Sequence, residues 1–280
     1  LDADGIVGKG SFRELNTPWA DRVEQLRLNL DRLRWIRNDI ADHMVIVNIA
    51  GFELYYFRDN ALAWETGVMV GKIKHQTPIF RHDITYLEFN PTWTVPRSII
   101  RRSLFPKFNG NPDYIRSADY KLYDPDGVEV DPFSLDWSSY SANRFPFRVV
   151  QQPGPNNALG RVKFMFPNKY AIYLHDTPAR ALFSRTSRAF SSGCIRVQDP
   201  MHLAELILAD EQGWDRARID ATLEDGNRRV VRLGSPVEVM LMYWTASPNP
   251  DDRVQLHPDI YDRDPRTLAL LNEEPREMTQ

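Results

Sequence analysis

Between residues 96 and 155 the chain carries eight of its 20 prolines. Proline lacks the backbone N–H and holds φ near −65°, so no long strand ladder runs through this stretch. The clusters NGNPD (109–113), DPDG (124–127) and QQPGPNN (151–157) punctuate it further with turns. A disordered linker is nonetheless excluded by its aromatic content, from Tyr114, Tyr120 and Tyr123 through Phe133, Trp137 and Tyr140 to Phe145 and Phe147. The expectation is an ordered inserted subdomain over 96–157 with its own small aromatic core. Long ordered insertions often cover sites, so it reads as lid-like.

On both sides of the insertion the pattern is β. MVIVNIAGFELYYF (44–57), WETGVMVGK (64–72) and ITYLEFNP (84–91) are apolar runs broken by Gly, Asn and Pro, as in a strand meander. RVKFMF (161–166) and KYAIYLH (169–175) read as strands paired through the turn PNK, and RRVVRL (228–233) with VEVMLMYWTA (237–246) closes the sheet. Asp199-Pro200 is an N-cap and N1 pair for a helix over 201–210, and a second short helix follows Asp215 and ends near Gly226. A further short helix is expected over about residues 178–187. The fold class is mainly β with α (α+β): a β-sandwich-like domain over 41–265, the inserted lid subdomain, and an N-terminal helical segment.

Within that N-terminal segment, Ser11 and Glu14 have capping-box spacing. Asp21 is placed to cap a helix to about Asn38, with Val23, Leu26, Leu30, Leu33 and Ile36 as its apolar face. Residues 1–20 read as the end of a module, 21–40 as a scaffold helix and 266–280 as a charged tail. The chain begins at Leu1 without Met or signal peptide, as a processed fragment would, so localisation is not legible from a targeting signal. No run approaches the roughly 18 uncharged apolar residues of a membrane span. A net charge of −3 argues against a general nucleic-acid binder.

Cys194, in SSGCIR (191–196), is the sole cysteine in 280 residues. An internal disulfide is impossible, which leaves packing, metal binding or chemistry. A Gly-containing turn presents the thiol beside free N–H groups, which favour thiolate and can hold an oxyanion. Arg196 adds positive potential, and His175 closes the strand KYAIYLH nineteen residues upstream. Cysteine with histidine is the minimal pairing of nucleophile and base. His75 and His82 have no carboxylate or cysteine at ligand spacing and read as surface residues, so no metal is expected.

YLHDTP (173–178) followed by SSGCIR (191–196) resembles the signature of L,D-transpeptidases with a YkuD-like catalytic domain. The resemblance extends through FNPTWTVP (89–96), the insertion, FPNKYAIYLHDTP (166–178) and YWTA (243–246), and is strongest to large periplasmic Gram-negative enzymes with a capping insertion. The N-terminal DADGIVGKGSFRELN resembles the end of a peptidoglycan-binding module. The resemblance implies Cys194 as nucleophile, His175 as general base, and the Asp176 backbone carbonyl as orienter of the imidazole. Asp176 stands where the family commonly has Gly, which leaves a role for its side chain open. Ser192 stands where many members have His or Arg. The oxyanion site then rests on backbone N–H groups of Cys194 and Gly193, with Tyr173 as a hydroxyl donor.

Further substrate-binding candidates are Ser191, Ser192, Thr177, Arg196 and Trp93. Trp93 has core packing as its alternative, and Arg196 a structural ion pair. Arg101 and Arg102 read as a solvated helix face or as carboxylate anchors. The implied partners are peptidoglycan stem peptides, carbapenem β-lactams as covalent inhibitors, and other wall synthases, with no cofactor. The implied location is the periplasm, anchored to the inner membrane or secreted. The rivals are a cysteine peptidase acting on wall peptides and a non-catalytic wall-binding protein.

Overall fold

The computed structural model describes residues 5, 7–37, 39–249 and 253–273. Strands β1 (His43–Asn48), β2 (Glu53–Arg58), β3 (Ala61–Gly71) and β4 (Phe80–Phe89) precede the insertion, which contributes β5 (Trp93–Thr94), β6 (Tyr120–Tyr123), β7 (Glu129–Val130) and β8 (Arg148–Gln151). After it come β9 (Val162–Met165), β10 (Leu174–His175), β11 (Ala189–Ser191), β12 (Ile195–Val197) and β13 (Arg229–Met242), then the hairpin of β14 (Ala246–Pro248) and β15 (Val254–Leu256).

Nine strands form one sheet in the order β11-β3-β12-β10-β9-β4-β13-β1-β2, and β2 also pairs with β3. The first half of β3 bonds β2 and its second half bonds β12 and β11. One long strand therefore joins both edges, and the sheet curls back around a single core. Val47, Leu87, Phe164, Leu174, Ile195 and Leu241 lie in that core with no exposure. β13 bends at the register shift between Arg232 and Val237. Pro236, which lacks an N–H, falls inside this irregularity, where no ladder bond is lost.

The insertion has a separate core, including Ile100, Phe108, Leu122, Trp137, Phe145 and Val149, beside the sheet β5-β8-β6-β7. Its prolines sit where a missing donor costs little. Pro106 and Pro112 occupy first turns of the short helices Phe105–Phe108 and Pro112–Ser117. The helix Pro200–Leu208 is capped by Asp199, and Arg216–Asp225 by Asp215, with left-handed Gly226 ending the latter. Residues 180–184 form a 3-10 turn where a longer helix was expected.

The N-terminal segment departs from the sequence reading. Helix Lys9–Leu15 starts from Gly8, so Ser11 lies inside it. Helix Trp19–Ile36 starts after Pro18, which puts Asp21 in the first turn, where its charge suits the helix dipole. Its expected end, Asn38, lies outside the described residues. The expected apolar face points inward only at its C-terminal end: Ile36 is buried and Leu33 packs beside it, whereas Val23 is 58% and Leu30 57% exposed, and Asn29 and Arg32 are buried instead. Hydrogen bonds decide the orientation. Gln25 donates to the Thr245 carbonyl at 2.6 Å, Asn29 exchanges bonds with Thr245, and Arg32 meets Asp264 at 2.8 Å. The exposed apolar side leaves a hollow of about 850 Å³ lined by Leu30, Leu33, Tyr55, Phe57 and Trp244, away from Cys194 and His175.

Asp264 opens the helix Asp264–Leu271, so the first part of the segment read as a tail is folded against the scaffold helix. Residues 274–280 lie outside the described residues. Removing one partner of a buried pair leaves the other charge uncompensated in a poor solvent. Asp264→Ala, with Arg32 only 8% exposed, is therefore expected to cost about 3–5 kcal/mol in chemical denaturation.

Candidate active site

Strand register builds the site. Leu174 pairs with Phe164 on one side and Ile195 on the other, while His175 pairs with Lys163 and Arg196. In the next ladder, Leu87 pairs with Phe164 and Glu88 with Lys163. Successive strand residues point to opposite faces. Leu87, Phe164, Leu174 and Ile195 thus fill the core, and Glu88, Lys163, His175 and Arg196 form a polar row on the other face. Tyr173 and Cys194 lie one position back on that polar face, joined where the Ile195 N–H donates to the Tyr173 carbonyl at 3.1 Å.

The turn before Cys194 is held from several sides. Ser191 Oγ donates to the Cys194 carbonyl at 2.5 Å and accepts the Gly193 N–H at 3.0 Å. Thr77 Oγ1 donates to the Gly193 carbonyl at 2.7 Å and accepts the Gly71 N–H at 2.9 Å. Tyr261 Oη donates to the Gly71 carbonyl, which ties the C-terminal segment to the same turn. Gly193 has φ +121°, and a Cβ there would meet Ile172 Cδ1 at 3.0 Å, so the position requires glycine.

His175 is buried, and its Nδ1–H donates to the Asp176 carbonyl at 2.5 Å. This bond fixes the tautomer and leaves Nε2 unprotonated. Burial, with help from Arg196 and Lys163, pushes the imidazole down to about 3, so it is neutral at pH 7. The Asp176 side chain has a structural task. Its carboxylate accepts the Arg161 N–H at 2.8 Å and the Thr177 N–H at 2.6 Å, and pairs with Arg180 at 2.6 Å. Gly160, at φ +61°, lets this carboxylate pass, because a Cβ would come within 2.3 Å of it.

The Cys194 thiol is half-buried and contacts the Ala171 carbonyl at 3.6 Å. Burial pushes it up, against hydrogen bonds from the Tyr173 N–H and hydroxyl and the positive Lys163 and Arg196. The sequence expectation that the turn favours thiolate is therefore reversed in the resting site: desolvation outweighs the donors. Tyr173 links the groups. Its hydroxyl interacts with Cys194 and Trp93, its ring lies 5.6 Å from that of His175, and the Lys163 ammonium sits 4.2 Å over its face.

Among the expected substrate contacts, Trp93 is half-buried, packs against the insertion's core and reaches Tyr173. Arg196 and Thr177 line a cleft of about 460 Å³ shared with Tyr114, Ser117 and Tyr120 of the insertion. Ser192 is exposed. Ser191 is buried within the turn, and the Gly193 N–H is committed to it, so both build the loop. Arg101 lines a separate hollow of the insertion, and Arg102 bonds Ser98 and His75. Sequence reasoning missed Lys163, Thr77 and Tyr261. A polar residue at the centre of the strand VKFM was the available signal for the first; the other two act through tertiary contacts.

Residues 42–239 match the family model described as the L,D-transpeptidase catalytic domain, YkuD. The chain belongs to the YkuD L,D-transpeptidase family. This L,D-transpeptidase domain is 39% identical over 251 residues to a Haemophilus influenzae protein named "Putative L,D-transpeptidase", covering 89% of this chain and 50% of that protein. The chain thus spans about half the length of that relative. Solved structures of an L,D-transpeptidase from Mycobacterium smegmatis (13% identity, 72% of this chain, 59% of that one, TM-score 0.35) and of the E. faecium catalytic domain acylated by ertapenem (12%, 72%, 98%, 0.33) are distant likenesses.

With the thiol raised and the imidazole neutral, alkylation of Cys194 by iodoacetamide should climb close to tenfold per pH unit from pH 6 to 8. It should show neither an imidazole inflection near 6.5 nor a plateau below the ordinary thiol range. Intact-mass rate measurements read this directly, and a plateau by pH 7 would contradict the resting state described.

Proposed function

We propose that this domain forms 3→3 cross-links between peptidoglycan stem peptides through a thioester on Cys194. The observation carrying the reading is one sheet face that holds the sole thiol, a buried neutral imidazole of fixed tautomer, and two cations. Cys194 Sγ attacks the amide carbonyl between the diamino acid of a tetrapeptide stem and its terminal D-Ala. His175 Nε2 takes the thiol proton as the bond forms, which avoids a free, partly desolvated thiolate.

In this reading the Cys194 N–H and the Tyr173 hydroxyl donate to the developing oxyanion. His175 then passes its proton to the departing D-Ala amine, leaving a thioester. The side-chain amine of a second stem attacks this carbonyl, His175 accepts the amine's proton, and the proton returns to Sγ as the new amide is released. The insertion, forming one wall of the cleft at Arg196, limits water while the thioester waits for its acceptor. The setting is the periplasm, where such stems lie.

Purified tetrapeptide muropeptides should give a cross-linked dimer and free D-Ala by mass spectrometry. Cys194→Ala should lower product formation by at least 1,000-fold, on the order of the loss seen on deleting a nucleophile. Tripeptide without dimer would instead assign hydrolysis. A carbapenem, a strained acyl donor, should add one intact mass to the wild type and none to Cys194→Ala; equal labelling of both would sink the acyl-carrier assignment.

A further inference from the structure

Two cations flank His175 on the polar face. Lys163 and Arg196 are its register partners on either side, so their Cα atoms stand about 10 Å apart across two strand spacings. Among the described residues neither forms a salt bridge, although the charge of Glu88 acts on Lys163. The carboxylate nearest Lys163 in register, Glu88, is itself bonded to Arg228 at 2.5 Å. Arg196 Nε is buried without a hydrogen-bond partner. Lys163 is half-buried, and its ammonium lies over the Tyr173 ring. Partly desolvated cations gain from a close counter-charge, so two of them without a salt bridge beside the thiol are suited to receive an anion.

We propose that Lys163 and Arg196 form a carboxylate subsite for the residue that leaves during acylation, with Lys163 the specificity-determining member. This rests on the acyl-transfer reading above. Backbone geometry supplies the reach: in a C-terminal residue the carboxylate carbon lies about 4 Å or less from the scissile carbonyl carbon. A carbonyl carbon bonded to Cys194 therefore holds that carboxylate close to the two cations whose charges both act on the thiol. A substrate extended by one more residue puts its carboxylate one residue farther out and offers an uncharged amide instead. The subsite thus selects a donor with a single residue beyond the scissile bond. The leaving amino acid's charge is also held where His175 delivers the proton.

The sole thiol gives a test independent of cross-linking. Iodoacetate and iodoacetamide differ in a carboxylate against an amide, and the ratio of their Cys194 alkylation rates cancels thiol ionisation and access. Lys163→Met should lower the iodoacetate-to-iodoacetamide ratio about tenfold, while Lys163→Arg keeps it within about twofold of wild type. N-acetyl-D-alanine should slow iodoacetamide labelling of the wild type but not of Lys163→Met, and N-acetyl-D-alaninamide should slow neither. An unchanged ratio in Lys163→Met, a loss in Lys163→Arg as large as in Lys163→Met, or equal protection by the amide would overturn the subsite. A lowered ratio without protection by N-acetyl-D-alanine would reduce it to a diffuse positive field and overturn it as well. Failure of the subsite with intact dimer formation leaves the proposed function standing. Failure of dimer formation with the ratios as expected removes the function and keeps the anion site.

Discussion

The site hangs on a two-residue strand, Leu174–His175, that cannot slip. Its neighbours Phe164 and Ile195 share a core row with Leu174, all fully buried. A shift of one residue would drive His175 into that core and expel Leu174, reversing every side chain on the strand. Hydrophobic packing on one face therefore sets the position of the imidazole on the other. Tyr173, Lys163, Cys194 and Arg196 take their places from the same register, so apolar burial and polar geometry are two sides of one constraint.

That arrangement has an electrostatic consequence. Burial and the flanking cations keep the imidazole neutral, and burial holds the thiol protonated despite nearby donors. At rest the thiol and the imidazole are both uncharged, with Lys163 and Arg196 nearby. The loop that presents the thiol is tied separately, through Ser191, Thr77 and Tyr261, to segments far apart in sequence. The site is thus preorganised by the closed sheet as a whole.

Much of this was legible in the chain. Apolar runs broken by Gly, Asn and Pro marked the strands, though of KYAIYLH only Leu174–His175 is strand; Asp199-Pro200 and Asp215 marked two helix starts, and the proline-rich aromatic stretch marked a body with its own core. These signals are local: a period, a cap or a missing donor. Reading failed where several local solutions compete. The Trp19–Ile36 helix offers an apolar face, yet it turns Asn29 and Arg32 inward because Thr245 and Asp264 supply partners that only the folded chain brings near. Ser191 and Gly193, read as contacts to substrate and oxyanion, spend their hydrogen-bonding groups on the loop itself.

Sequence by itself determined the residue types of the chemistry: one thiol that cannot form an internal disulfide, a histidine closing an apolar strand, and a glycine turn between serine and cysteine. These follow from valence, side-chain period and backbone freedom, which need no knowledge of distant neighbours. Only the tertiary structure decided the ionisation of that pair, the place of Lys163 beside it, and which N–H groups remained free. Desolvation and charge depend on what surrounds a group in space, and here the surroundings come from strands separated by a long insertion and from the C-terminal segment.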